Sequence, residues 1–203
     1  MIITIGRQLG SGGLQIGQIV AKTLNLDFYD KQLLSEAAND SGMKEEFFSK
    51  VDEKARSKFP SFNIFGMRGA LGGSSYVDVN SLSADNLFLL QSNTMERLAS
   101  SSERGVVFIG RCANFVLRNH SDLFRIFISA DLDFRIKQVM LRNACSEQEA
   151  AELIEKVDKQ RSNYNEYFAN GGWGVASNYD LTLNSSKFGI EGTAQIIVDI
   201  LSR

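Results

Sequence analysis

One stretch constrains this chain more than any other: residues 3–21, "ITIGRQLGSGGLQIGQIVA". A short β-branched run comes first. Gly6, Gly10, Gly12 and Gly13 follow, and then Ile16, Ile19, Val20 and Leu24 recur at helical spacing. Strand, glycine turn and amphipathic helix in that order set a bared helix N-terminus at the end of a strand. Glycines leave backbone N–H groups unshielded, and with the helix terminus they form a concave anion site. The plain alternative is a turn that only packs a helix on a strand. So many glycines weigh against it, because each costs roughly 0.5–1 kcal/mol relative to alanine.

Two nucleotide patterns compete for the loop. In the phosphate-loop pattern G-x-x-x-x-G-K-[ST], counting from Gly6 puts Ser11, Gly12 and Gly13 at the last three positions. Aligned instead on the helix, the lysine position falls on Gly13. Either way the lysine is missing, and so is a Ser/Thr magnesium ligand. The G-x-x-x-G-x-G spacing of short-chain dehydrogenases also fits, at Gly6, Gly10 and Gly12. Those NAD(P)-binding enzymes need a Tyr-x-x-x-Lys pair. The residues four beyond each tyrosine are Leu33, Asn80, Phe168, Gly171 and Leu183, so the pair is absent.

Strand and helix patterns alternate along the rest of the chain. Strands are expected at 1–5, in "LDFYD" ending at Asp30, in "GVVFIG" (105–110), in "FRIFISA" (124–130) and in "YDLTLNS" (179–185). Helices are expected in "KQLLSEAANDSG", in "KEEFFSKVDEKARSKF", over 84–100, in "DLDFRIKQVMLRN", in "SEQEAAELIEKVDKQRSNYNEYF" and over 190–201. Ser146 with Glu149 forms a capping box at the start of the penultimate helix. Residues 57–84 hold the only proline, several glycines and many serines, and are expected to be a long functional loop or flap. The alternation predicts an α/β fold, a three-layer parallel sheet with helices on both faces. Ligands in such sheets bind at the carboxyl ends of the strands.

Composition narrows the partners. The chain has 203 residues and a net charge of −2, which argues against a broad nucleic-acid-binding surface. Cys112 and Cys145 lie far apart, and His120 is the only histidine, so no metal-ligand spacing stands out. No apolar run reaches the roughly 20 residues a membrane span needs, and no basic stretch with an apolar signal core opens the sequence. A cytoplasmic protein of a small-molecule ligand is expected, with neither nucleic acid nor membrane as partner. Nothing marks its oligomeric state.

Several stretches together carry a family likeness: "GRQLGSGGLQIGQIVA", "FYDKQLL", "VVFIGRCANFVL", "FRIFISADLDFRI", "VDKQRSNYNEYF" and "WGVASNYDLTLNSSKFGIEGTAQII". In that order they resemble the cytidylate kinase-like branch of the nucleoside monophosphate kinases, within the P-loop kinases, over nearly the whole chain. The resemblance implies a single domain, 1–203, with a core of 1–34 and 85–203. It implies an acceptor-binding flap over roughly 35–84 and a lid within roughly 140–175. It also implies transfer of a γ-phosphoryl from ATP, with Mg2+, to a nucleoside monophosphate or similar small acceptor.

Residue by residue, Arg111 matches the family arginine that holds the acceptor phosphate, with Ile109 and Cys112 where flanking acids stand in cytidylate kinases. Asp158 and Arg161 resemble the acid–arginine pair that grips acceptor and transferring group, and their spacing puts them on one helix face. Asp30 and Lys31 match the start of the acceptor site. Asn184 and Ser185 resemble the loop that touches the donor base. Gly10, Ser11, Gly12, Gly13 and Leu14 would cradle the donor phosphates. A loop without lysine must draw its cation from elsewhere, and an arginine can bind phosphate oxygens bidentately. Arg7 is the first candidate, followed by Arg111, Arg135, Arg142 and Arg161. Ser11 or Asp30 would hold magnesium, through water. A non-catalytic nucleotide-binding protein on the same fold stays open beside the kinase.

Overall fold

A computed structural model describes residues 1–30 and 84–202. The two helices expected between Lys31 and Phe59, the long loop 57–84, the flap and Lys31 lie outside the described residues. By their contacts the residues fall into two compact units, Met1–Asp30 with Met95–Arg203, and Lys31–Thr94. Of the second unit only 84–94 is described, as the first turns of α2 (Ala84–Ser101).

The first unit is built on a five-stranded parallel sheet in the order β2-β3-β1-β4-β5. The strands are β1 (Ile2–Arg7), β2 (Asp27–Tyr29), β3 (Val106–Ile109), β4 (Leu123–Ser129) and β5 (Leu181–Asn184). The helices are α1 (Gly13–Thr23), α3 (Ala113–Val116), α4 (Leu132–Asn143), α5 (Glu147–Ala169) and α6 (Ser185–Leu201). Ile3 and Ile5 on β1, Val107 and Ile109 on β3, and Ile126 and Ile128 on β4 bury one sheet face against Ile16 and Val20 of α1 and Ile197 of α6. Because side chains alternate along a strand, Ile2, Thr4, Val106, Phe108 and Phe127 belong to the other face. They too are buried. Both faces are therefore covered, which is why these strands read as continuous apolar runs.

β1 runs two residues further than its apolar run, because Gly6 and Arg7 pair in register with Phe127 and Ile128 of β4. The strand order also settles the dehydrogenase alternative. In dinucleotide-binding sheets β1 and β2 are neighbours. Here β3 lies between them. That alternative is excluded by topology.

Candidate functional site

The glycine loop leaves β1 at Arg7, and several of its polar groups are tied down. Gln8 N–H donates to the Ile128 carbonyl at 3.0 Å, and Ala130 N–H donates to Gln8 Oε1 at 3.1 Å. Gly10 has φ +81°, and a Cβ there would stand 2.6 Å from the Arg135 carbonyl oxygen, so only glycine fits. The first intrahelical bond of α1 runs from Ile16 N–H to the Gly12 carbonyl. The N–H groups of Gly13, Leu14 and Gln15 precede it and point out of the helix end. Leu14 is 37% exposed, so this end reaches the surface. The geometry fits an anion at the α1 N-terminus.

The donor set for a divalent cation is thinner. Ser11 is fully buried, and its hydroxyl donates to the Gln8 carbonyl at 2.9 Å. Its carbonyl in turn accepts from Ser185 Oγ at 2.7 Å. The turn consumes Ser11, so the expected magnesium role does not fit it. Asp30, with a side chain 24% exposed, is a further carboxylate near Arg7.

Arginines surround this loop. Arg7 extends to the end of β3, where a Cβ on Gly110 would collide with its Nη1. Its Nη2 lies 4.0 Å from Asp30 Oδ1. Burial pushes the Arg7 guanidinium below its ordinary range. Arg111 adds to that, while Asp30 and Asp158 oppose it. Arg161 donates from Nη1 to the Arg7 carbonyl at 2.8 Å and stands 3.7 Å from Asp158 Oδ1. Burial, together with Arg7 and Arg142, brings Arg161 down to about 9, and again Asp158 and Asp30 oppose. Among the described residues, Arg7, Arg111, Arg142 and Arg161 are thus coupled in one field with Asp30 and Asp158. An anion placed among the guanidiniums relieves their mutual repulsion.

The loop after β3 is strained. Gly110, Arg111 and Cys112 have φ of 74°, 56° and 56° in succession. A non-glycine residue held there costs on the order of 1–3 kcal/mol, and such strain clusters at functional sites. Cys112 is buried, and its Sγ accepts from Asn165 Nδ2 at 3.7 Å. Burial pushes the thiol up to about 12. Ile109 faces the core. Neither position supplies a charged partner to Arg111.

Other expected residues are brought close but are already engaged. Asp158 accepts from Leu9 N–H through Oδ1 and from Arg135 through Oδ2. Ser185 bonds to the Ser11 carbonyl. Asn184 caps α6 by accepting from Ser186 N–H, and it donates to Asp131. Asp131 also accepts from Lys187. Trp173 meets Phe127 edge-on and Tyr179 packs on it at a tilt, with centroids 5.4 and 5.0 Å away. The region 140–175, expected to hold the lid, contains the long helix α5 and the turn after it. An open groove of about 680 Å3 between α4 and α5 shares Arg135 and Asp158 with the loop but touches none of residues 6–14, so it is not the anion site. Leu9, Gln8, Asn165 and Asp131 were not anticipated from the sequence. Their partners lie far away along the chain, 149 residues away for Leu9, and no local pattern encodes them.

A parallel sheet of this order, with a glycine loop leaving its central strand, defines the P-loop kinase scaffold. The chain belongs to the cytidylate kinase-like family, whose sequence profile matches residues 2–187. A cytidylate kinase of Sulfolobus acidocaldarius is 28% identical over 130 residues, 63% of this chain and 70% of that protein. A uronate isomerase of Corynebacterium glutamicum is 28% identical over 145 residues, 70% of this chain, but the chain spans only 28% of that protein's length. Among solved structures, an uncharacterized protein from Eubacterium ventriosum is 26% identical with a TM-score of 0.73, covering 100% of this chain and 99% of that one. A shikimate kinase from Bacteroides thetaiotaomicron shares the fold, with a TM-score of 0.55 at 14% identity over 100% of this chain and 99% of that one. No helix among the described residues is long and apolar enough to cross a membrane.

Proposed function

We propose that this protein is a cytoplasmic, ATP-dependent phosphotransferase that moves a γ-phosphoryl onto a nucleoside monophosphate or similar small acceptor. The observation that carries this reading is the set of guanidiniums around a glycine loop that has no lysine. Phosphoryl transfer depends on positioning and on positive charge at the equatorial oxygens more than on covalent help. Gly10, Gly12, Gly13 and Leu14 cradle the donor phosphates, Arg7 and Arg161 hold the transferring group, and Arg142 adds charge from α4. Arg111, held in its strained conformation, takes the acceptor phosphate, with Asp30 and Lys31 at the start of the acceptor site. Asn184 and Ser185 shape the loop under the donor base. Mg2+ would neutralise the donor phosphates, with Asp30 offering a carboxylate to it.

A coupled assay of ADP release, run over a panel of nucleoside monophosphates, tests this. Turnover above the ATPase background with at least one acceptor is expected. ATP binding with no turnover on any acceptor would contradict it and favour the second reading, a non-catalytic nucleotide-binding protein. That reading draws its support from Ile109 and Cys112, which place buried uncharged groups where the family's acids stand.

A further inference from the structure

We infer that Arg135 and Asp158 form a clamp that holds the glycine loop in its anion-binding shape, so that Asp158 is a positioning residue rather than a group that meets the reacting phosphoryl. The inference rests on the proposed nucleotide site for its purpose, but not for its geometry. The Leu9 peptide groups are gripped on both sides. Its N–H donates to Asp158 Oδ1 at 2.8 Å, and its C=O accepts from Arg135 Nη1 at 3.5 Å. Arg135 Nη1 also donates to Asp158 Oδ2 at 2.5 Å, which closes the ring. The side chains of the pair are only 11% and 15% exposed.

Arg135 fixes the loop a second time with its own backbone, which lies under Gly10 too closely for any Cβ there. Two helices, α4 and α5, therefore meet through one ion pair on the single residue before the anion-binding turn. A carboxylate with both oxygens engaged in this way has little left to offer an acceptor. A loop carrying Gly10 and Gly12 between β1 and α1 needs such a hold, because each glycine widens the set of conformations it could otherwise visit. Arg161, one turn away on α5, reaches the loop from the same helix and bonds the Arg7 carbonyl. Asp158 and Arg161 thus reach the loop from adjacent turns of one helix.

Hydrogen–deuterium exchange of the Leu9–Gly12 amides, with titration of a fluorescent ATP analogue, tests the clamp. In Asp158→Ala the Leu9 amide is expected to exchange at least tenfold faster while the amides of Ile3, Ile5 and Val107 stay protected, and analogue affinity is expected to fall about tenfold. Asp158→Asn keeps an acceptor for Leu9 but loses the charge on Arg135. It is expected to fall between the two, and it serves if the alanine variant does not fold. Where turnover is measurable, the KM for ATP should rise while that for the acceptor holds. Unchanged Leu9 exchange in both variants, or a rise confined to the acceptor KM, would overturn the clamp. If the wild-type protein binds no ATP analogue, the nucleotide reading falls, whereas Leu9 exchange still decides whether the loop is held by Asp158.

Discussion

At the level of single residues, the site trades stability for placement. Arg111 and Cys112 both hold φ of 56°, a conformation that asparagine tolerates better than arginine. Arg111→Asn is therefore expected to leave stability unchanged or to raise it by up to about 1 kcal/mol, while acceptor phosphorylation is lost. Urea unfolding midpoints read beside the coupled assay check both halves. The two cysteines make a second residue-scale case. Burial pushes the Cys112 thiol up to about 12 in the folded chain from an ordinary value of 9.0. Its folded pKa is raised, so the linked stability is intact below pH 9 and is lost as pH climbs toward 12. At pH 8 a thiol reagent should label Cys145 in the native protein and reach Cys112 only after unfolding; rapid double labelling of native protein would contradict this. Legibility at this scale was uneven. Arg7, Arg111 and the Asp158–Arg161 spacing could be read from motif and period. The engagement of Asp158 by Leu9 and Arg135 could not, because no sequence pattern links residues so distant in the chain.

At the level of elements, β-branched runs located the strands because those runs are buried on both faces. Their ends depended on pairing that only the fold reveals, as with Gly6 and Arg7 in β1. The last helix was expected from residue 190, and a helix does run from there; a short helical turn from Ser185 precedes it across a kink at Gly189, where φ 70° and ψ 174° are open to glycine alone. The break seats Ile190 against Gly12, where a Cβ would stand 2.8 Å from Ile190 Cγ1. Nothing lies within 4 Å of a Cβ added at Gly189, so an alanine there would cost backbone strain and no collision. Gly189→Ala is expected to destabilise the protein by about 1–3 kcal/mol, visible as a lower urea midpoint. An unchanged midpoint would show that the kink is not needed. By contrast, the capping box at Ser146 was fully legible, because both partners lie within one turn: Ser146 Oγ accepts from Glu149 N–H while the Glu149 carboxylate accepts from Ser146 N–H.

At the level of the whole molecule, alternation alone pointed to a parallel sheet, but only the observed order, with β3 between β1 and β2, separated a kinase scaffold from a dinucleotide-binding one. That order brings the ends of β1 and β3 side by side, and with them Arg7, Gly110 and Arg111. It also lets α5 deliver Arg161 to the Arg7 carbonyl. On the proposed reading, cations contributed by β1, the β3 loop, α4 and α5 do the work of the missing lysine. A charge-assisted bond to phosphate contributes roughly 1.5–3 kcal/mol, so losing one such arginine should weaken a triphosphate about 10- to 100-fold. The most direct measurement is calorimetric titration of a non-hydrolysable ATP analogue with Mg2+ into the wild-type protein and into Arg7→Ala and Arg161→Ala. The account predicts binding to the wild type and a loss of that size in each variant. Equal affinity in all three would contradict it.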